Sequence, residues 1–208
     1  MTERPRLAYH HTPGAGPTLV FLPSYASDMT GTKALALEAW ARRTNRAFLR
    51  FDYGGCGASD GEFADQTMAG WLEDVLAMMD AVADGPVVLV GSSLGGWLML
   101  LAARERPHQV AALVGVAPAP DFTDWGFTPD EKMAILQQGR LERPNAYGPE
   151  PTLYTRAFWA SGEAKRLIRG GGARVDGQAL RDEAAVLEVG DAPVRVSAGK
   201  KLHGVLTP

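Results

Sequence analysis

Residues 91–95 read Gly-Ser-Ser-Leu-Gly and fit the pattern Gly-x-Ser-x-Gly, with Ser93 at the centre. An apolar run at 87–90 precedes this segment, and an apolar run with helical character at 97–104 follows it. A turn this tight between a strand and a helix accepts only glycine at its flanks, and it exposes the central hydroxyl at the amino end of the helix. The pattern therefore predicts Ser93 as a catalytic nucleophile. The alternative is a glycine-rich turn that only packs a helix on a strand.

The elements that must position Ser93 alternate between short apolar strands and helices. Strands are predicted at 18–22, 47–51, 87–90 and 110–116, and helices at 33–43, 68–79 and 97–104. The helix at 68–79 has apolar residues at i, i+3, i+4, i+7, i+8 and i+11, which is one face of a helix. Strands that alternate with helices are typical of a mostly parallel sheet with helices on its faces. The predicted class is α/β.

The composition changes at 122–168, which is rich in aromatic residues, proline and glycine and has one clear helical stretch at 129–138. We predict that this segment is a lid inserted into a single domain of residues 1–208. The tail beyond it contains a predicted helix at 178–187 and a predicted strand at 193–197.

Three further segments carry a resemblance to a known family. Residues 21–34 begin Phe-Leu-Pro-Ser-Tyr, residues 51–61 begin Phe-Asp-Tyr and end Ser-Asp-Gly, and residues 114–122 read Val-Gly-Val-Ala-Pro-Ala-Pro-Asp-Phe. With the serine pattern, they resemble the α/β-hydrolase fold superfamily and, within it, the group of mitochondrial palmitoyl-protein thioesterases and acyl-glucuronide esterases with their bacterial relatives. The resemblance covers residues 7–168 well and the tail poorly. It implies an α/β-hydrolase fold with an incomplete C-terminal part.

The resemblance implies an oxyanion hole made of two main-chain N–H groups. One belongs to Leu94, the residue after the nucleophile, and the other to the loop after an early strand. Matching positions gives Tyr25 or Ser24. Tyr25 is preferred because it follows the Pro23-Ser24 pair, where the family has His-Gly. The Tyr25 ring also fits an aromatic cover over the pocket floor, and the two roles are compatible.

The base of such a triad is a histidine that follows the serine and the acid along the chain. His10 and His11 precede the core strands, and His108 lies at the far end of the helix that Ser93 begins, roughly 20 Å away. His203, after the strand predicted at 193–197, resembles the location of the family's histidine and is the predicted base. Where the family has Gly-Asp-His, residues 199–203 read Gly-Lys-Lys-Leu-His. Alternatively, residues 202–204 end an earlier strand, and no triad exists.

The triad acid has three candidates. The family's Gly-x-x-Asp-x-x-Val-Pro segment has no counterpart before the helix predicted at 178–187. Asp121 follows the strand at 110–116, where some α/β-hydrolases carry their acid, and Asp176 and Asp182 are the other candidates. Each also fits a solvated surface carboxylate, and a fourth alternative is that the chain has no triad acid. Because the acid only orients and stabilises the histidine, its loss would lower the rate without removing the nucleophile.

The composition excludes several other classes. The chain has 208 residues, 46% of them hydrophobic, enough for one globular domain with a core. Its 21 Lys+Arg and 24 Asp+Glu give a net charge of -3, which predicts no nucleic-acid partner. A single cysteine, Cys56, and the lack of a Cys/His cluster or a phosphate-binding glycine loop predict no metal and no cofactor. No signal peptide or membrane span is recognised, so we expect a cytoplasmic protein.

The predicted function is that of a serine hydrolase. It would cleave carboxylic esters or acyl thioesters through an acyl-enzyme on Ser93, acting on a small-molecule or acylated substrate. Lid aromatics predict an apolar acyl pocket: Trp125, Phe127, Tyr147, Tyr154, Phe158 and Trp159. Two alternatives are an impaired or truncated α/β-hydrolase remnant that acts as a binding protein, and an acyltransferase on the same scaffold. The oligomeric state is left open.

Overall fold

The computed structural model describes residues 6–82, 85–145, 148–169, 173–180, 194–198 and 202–206. The chain divides into two compact units, Met1–Trp159 and Ala160–Pro208. The first unit contains the segments that resemble a hydrolase, and the second contains the tail. The single domain predicted for residues 1–208 stays a prediction.

A five-stranded sheet forms the centre of the first unit, in the order β1-β3-β2-β4-β5. Its strands are β1 (Tyr9–Thr12), β2 (Ala15–Leu22), β3 (Arg46–Phe51), β4 (Val87–Ser92) and β5 (Val110–Val116). β1 pairs antiparallel with β3, and the other neighbours pair in parallel. The predicted class, with a mostly parallel sheet, is confirmed.

Helices cover both faces of this sheet. They are α1 (Thr32–Arg43), α2 (Met68–Val82) and α3 (Leu94–Glu105), each at a position predicted from the sequence. Val20 and Leu22 pack in one apolar cluster with α2 and α3, whereas Phe21 packs in a second cluster with α1. Because successive side chains of a strand point to opposite faces, the two clusters lie on opposite sides of the sheet.

Five elements follow β5 in the region predicted as a lid. They are α4 (Phe122–Trp125), α5 (Pro129–Gln138), β6 (Arg140–Arg143), β7 (Thr152–Thr155) and α6 (Arg156–Arg169). α5 has the predicted bounds, because Thr128 and Glu131 form a capping box at its start and Gly139 ends it with a φ of 83°. β6 and β7 form an antiparallel hairpin that the sequence did not predict. We use the name lid for residues 122–159, the part of the predicted segment that belongs to the first unit.

The second unit contains a four-stranded antiparallel sheet in the order β11-β10-β8-β9. Its strands are β8 (Ala173–Val175), β9 (Gln178–Ala179), β10 (Val194–Ala198) and β11 (Leu202–Leu206). β10 confirms the strand predicted at 193–197.

The helix predicted at 178–187 is wrong at its start, where Gln178 and Ala179 form β9. Asp176 and Gly177 have φ values of 47° and 81° and form the turn that pairs β8 with β9. An Asp-Gly pair with positive φ at both residues favours a tight hairpin, and this signal outweighs the helical pattern after it. The rest of the predicted helix lies outside the described residues.

Candidate active site

Ser93 lies at the junction between β4 and α3, with a φ of 52° and a ψ of -116°. Residues other than glycine rarely adopt such a conformation, and it persists only where neighbouring contacts enforce it. The Ser93 N–H donates to the Val116 carbonyl (3.1 Å), and the Ser93 carbonyl accepts from the N–H groups of Gly96 and Ala119 (2.9 Å each). The end of β5 and the loop after it therefore hold the serine backbone in place.

The glycines around Ser93 are required by close packing. A Cβ atom on Gly91 would lie 2.5 Å from the Gly95 carbonyl oxygen, and one on Gly95 would lie 2.6 Å from the Pro23 carbonyl oxygen. Both distances are shorter than real Cβ contacts. The expectation that only glycine fits at the two flanks of the turn is confirmed.

Leu94 and Tyr25 are the predicted oxyanion-hole residues. Leu94 is the first residue of α3, and Tyr25 lies in the turn after β2. Among the described residues, the N–H groups of Leu94 and Tyr25 donate to no backbone or side-chain acceptor. The first N–H groups of a helix have no partner within the helix and carry the positive end of its dipole. The Leu94 N–H is therefore suited to bind an anion, and the oxyanion-hole role of both residues stays a prediction.

The loop after β2 lies directly against the serine junction. The hydroxyl groups of Ser24 and Ser92 are hydrogen-bonded, with 3.1 Å between their oxygens. The hydroxyl of Tyr53, a fully buried residue, donates to the Pro23 carbonyl (3.2 Å). With the close approach of Gly95 to Pro23, these contacts place the backbone of residues 23–25 beside the start of α3.

The four histidines lie in three places. His10 and His11 are on the edge strand β1, where the His10 Nδ1 is 2.8 Å from the Glu38 carboxylate. His108 is exposed in the turn after α3. His203 lies within β11, opposite Ser197 of β10. It belongs to the second unit, and its side chain lies outside the described part, so the Ser93–His203 pair stays a prediction.

The candidate acids are also separated. Asp121 is the residue before α4 and has a φ of 53°, and it comes two positions after Ala119, whose N–H binds the Ser93 carbonyl. Asp176 lies in the exposed β8–β9 turn, and its Oδ1 accepts from the Arg195 N–H (2.8 Å), which fastens β8 to β10. Asp182 lies outside the described residues. The identity of the acid stays a prediction.

Aromatic side chains connect the lid to the loop after β2 and to α2. The Tyr25 ring stacks on Tyr154 with 4.8 Å between ring centroids and an interplanar angle of 8°. It also contacts Phe158 at 4.6 Å and Trp71 at 5.6 Å. Phe158 is 1% exposed, so it is packed within the first unit. Sequence reasoning named Tyr154 and Phe158 as pocket residues, but had no local signal for their contact with Tyr25.

The other lid aromatics differ in exposure. Phe127 is buried and contacts Tyr154 edge-on at 5.0 Å, whereas Trp125 is 62% exposed. Trp159 donates from Nε1 to the Thr123 carbonyl at 3.0 Å. Tyr147 lies outside the described residues. Packing within the lid therefore accounts for Phe127, and the predicted acyl pocket stays a prediction.

Cys56 is buried in the apolar cluster of α2 and α3. Burial, together with the carboxylates of Asp52, Asp74 and Asp28, raises the pKa of its thiol to about 12. Within the described residues, no group of three or more His, Cys, Asp or Glu side chains is placed to hold a metal ion. No helix in that part of the chain is both long and apolar enough to cross a membrane.

Comparison with known proteins gives two kinds of relative. The mouse mitochondrial palmitoyl-protein thioesterase ABHD10 is 46% identical over 152 residues, which are 72% of this chain and 51% of that protein. The chain thus spans about half the length of the thioesterase relatives it matches. The tyrosine–tRNA ligase of Zymomonas mobilis subsp. mobilis is 59% identical over 44 residues, which are 21% of this chain and 11% of that protein.

The solved structures include a putative hydrolase from Agrobacterium vitis S4. It has a TM-score of 0.73 and 36% sequence identity, and the match covers 81% of this chain and 69% of that one. The family model for the alpha/beta hydrolase fold matches residues 18–149, which contain Tyr25, Ser93 and Leu94. The chain belongs to the α/β-hydrolase fold family.

Proposed function

We propose that the chain is a serine hydrolase that cleaves carboxylic esters or acyl thioesters through an acyl-enzyme on Ser93. The observation that carries this proposal is the Ser93 backbone, which is held in a strained conformation between a parallel strand and a helix. Such a junction presents a hydroxyl above the end of the sheet, beside the N–H groups of a helix start. Membership of the α/β-hydrolase fold family supports the same function.

The reaction follows from the groups at this junction. The Ser93 oxygen attacks the substrate carbonyl carbon while its proton passes to a base, for which His203 is proposed. The oxyanion accepts hydrogen bonds from the N–H groups of Leu94 and Tyr25. Collapse of this intermediate breaks the C–O or C–S bond, and the base returns the proton to the alcohol or thiol. Water then attacks the acyl-enzyme in the same way and releases the carboxylic acid.

The substrate class rests on the thioesterase relative. Mouse ABHD10 is named as a palmitoyl-protein thioesterase, and its similarity covers 72% of this chain. We therefore extend the proposal to acylated substrates, with an ester or thioester as the bond that is cleaved. No cofactor enters these steps, because serine, base and two N–H groups suffice for acyl transfer to water.

The experiment is a turnover assay on the full chain with a p-nitrophenyl ester and an acyl thioester. Ser93→Ala and His203→Ala are expected to lower kcat by at least about 10³-fold, the order found for triad residues. Ser161→Ala and His108→Ala are the matched controls, and their rates should equal the wild-type rate. An active Ser93→Ala chain would overturn the proposal. A folded wild-type chain without turnover would favour a remnant that binds an acylated ligand.

A second candidate function concerns the second unit, Ala160–Pro208, which we propose binds structured RNA. A stretch of 44 residues of this chain is similar to a tyrosine–tRNA ligase, a protein that acts on tRNA, and this similarity favours RNA binding by part of the chain. The hydrolase family model ends at residue 149, so it leaves the second unit unexplained.

The charge of the second unit supports RNA as the ligand. Eight of the 21 Lys and Arg residues lie at 160–208, but only six of the 24 Asp and Glu residues do. The second unit therefore carries a net +2 and the rest of the chain a net -5, a difference hidden in the total of -3. Lys165, Arg166 and Arg169 occupy positions within an arc of about 100° on α6. This proposal departs from the expectation drawn from the total charge.

Binding is measured with a fluorescent tRNA and with a DNA duplex of equal length over a series of salt concentrations. Replacing Lys165, Arg166 and Arg169 with glutamine should weaken tRNA binding at least about 10-fold and make it less salt-dependent. Arg43→Gln, Arg104→Gln and Arg140→Gln together form the charge-matched control, which should bind as the wild type does. Equal binding by both triple variants would overturn the proposal, as would equal affinity for the DNA duplex.

A further inference from the structure

Tyr25 joins the loop after β2 to the lid. Its hydroxyl donates a 2.7 Å hydrogen bond to the carbonyl of Leu153, a β7 residue. Its ring is stacked on Tyr154 and tilted against Phe158, and it also meets Trp71 and Phe63 edge-on. One side chain thus contacts β7, α6, α2 and the segment before α2. It is fixed both by ring contacts and by a directed hydrogen bond.

The backbone of the same loop is fixed at the serine junction. The Tyr53 hydroxyl holds the Pro23 carbonyl, the Ser24 and Ser92 hydroxyls are bonded to each other, and Gly95 lies against Pro23. These contacts hold residues 23 and 24. The Tyr25 N–H follows directly in the chain, and the side chain of Tyr25 is anchored in the lid. The orientation of this N–H therefore depends on the contacts of residues 23 and 24 at the serine junction and on the contacts of the Tyr25 side chain with the lid.

We infer that the Tyr25 side chain is a positioning residue, which uses its attachment to the lid to orient the Tyr25 N–H toward the oxyanion. The inference rests on the proposed hydrolase function. A hydrogen bond to a developing oxyanion is sensitive to small displacements of the donor, so a loosened anchor lowers the rate of the chemical step. Substrate binding does not need the same N–H, so KM is expected to change little.

The hydroxyl of Tyr25 is a permanent donor in this arrangement. Burial, with smaller contributions from Tyr154 and Cys56, raises the pKa of Tyr25 well above its usual range. The hydroxyl therefore stays protonated at every pH at which an esterase is assayed. The bond to the Leu153 carbonyl is an anchor whose strength is independent of pH in that range.

The test compares Tyr25→Phe, Tyr154→Leu and the double variant in steady-state ester hydrolysis. Tyr25→Phe removes only the hydroxyl, and Tyr154→Leu removes the stacked ring from the lid without altering the loop. Each should lower kcat about 10-fold or more and leave KM within about twofold. The double variant should be no slower than the slower single variant, because both changes release the same anchor. Tyr9→Phe, at an exposed tyrosine of β1, is the matched control.

Four outcomes separate this inference from the function on which it rests. The inference is supported when both single variants lose kcat, their effects do not multiply, and their unfolding curves show folded protein. Full activity of Tyr154→Leu, or effects that multiply, would overturn the link through the lid. A rise in KM at constant kcat would show that these rings bind substrate instead. An inactive, folded wild-type chain would overturn the proposed function itself.

Discussion

Gly95 and Pro23 lie so close together that a Cβ atom on Gly95 would be 2.6 Å from the Pro23 carbonyl oxygen. The Leu22 carbonyl oxygen, at the end of β2, would lie closer still, so these contacts join the first turn of α3 to the end of β2. The nucleophile and the loop that carries the second proposed oxyanion donor are therefore set by one close approach of two main chains. A side chain at position 95 would separate them.

The first prediction follows from this contact. Gly95→Ala should lower the free energy of unfolding by about 3 kcal/mol, because backbone atoms must move to admit the methyl group. Hydrolysis should also be lost, since the loop and α3 move apart. Gly70→Ala is the control, because a Cβ there meets its nearest atom, the Thr67 hydroxyl, at 3.4 Å and alanine favours a helix. Urea unfolding measures both variants, and equal stability would contradict the account.

The second prediction concerns Glu131 and Arg143, which form a bidentate ion pair in the lid. The Arg143 Nε and Nη2 donate to the two Glu131 carboxylate oxygens at 2.8 and 2.7 Å. The Arg143 guanidinium, and then the N–H and hydroxyl of Thr128, lower the pKa of Glu131 to about 2. The stabilisation is therefore complete above pH 4.5, the usual pKa of the group, and is lost as the pH falls toward 2.

Glu131→Gln should accordingly cost about 2 kcal/mol of unfolding free energy near neutral pH, as expected for a charged hydrogen-bonded pair. The difference from the wild type should shrink as the pH falls below 4.5 and nearly vanish at 2. Urea unfolding at a series of pH values gives this curve. Glu142→Gln, at an exposed carboxylate of β6, should show little difference at any pH. A Glu131→Gln cost that stays constant down to pH 2 would disprove the ion-pair explanation.

The third prediction tests whether the Cys56 thiol is unreactive in the folded chain, as expected if it is not the nucleophile. The pKa of Cys56, raised from 9.0 to about 12, and its burial should slow alkylation of the native chain by about 10³-fold relative to the unfolded chain. Mass spectrometry after iodoacetamide treatment, with and without denaturant, measures this ratio. Rapid alkylation of folded protein, accompanied by loss of hydrolysis, would instead indicate a thiol hydrolase.

Local sequence signals predicted the strand–turn–helix junction at Ser93. The apolar run of β4, the glycines at 91 and 95 and the apolar start of α3 are consecutive in the chain, so their pattern was enough. The attachment of Tyr25 to Leu153 joins residues that are 128 positions apart, and no local pattern encodes it.

The tail shows a different limit of sequence reasoning. The positive φ values of Asp176 and Gly177 make a hairpin where the residues after them have a helical pattern. The turn preference of Asp176 and Gly177 outweighed the helical pattern at Gln178 and Ala179, which form a strand. The net charge of the second unit was not visible in the total of -3, because that total is the sum of +2 in the second unit and -5 in the rest of the chain.

The central claim is that Ser93 is the nucleophile, and covalent labelling tests it most directly. The purified chain is treated with a fluorophosphonate, and peptide mass spectrometry locates the phosphonyl group. We expect a single adduct on Ser93, none in Ser93→Ala, and wild-type labelling in Ser161→Ala. A folded wild-type chain that gains no adduct, or a Ser93→Ala chain that still gains one, would contradict the account.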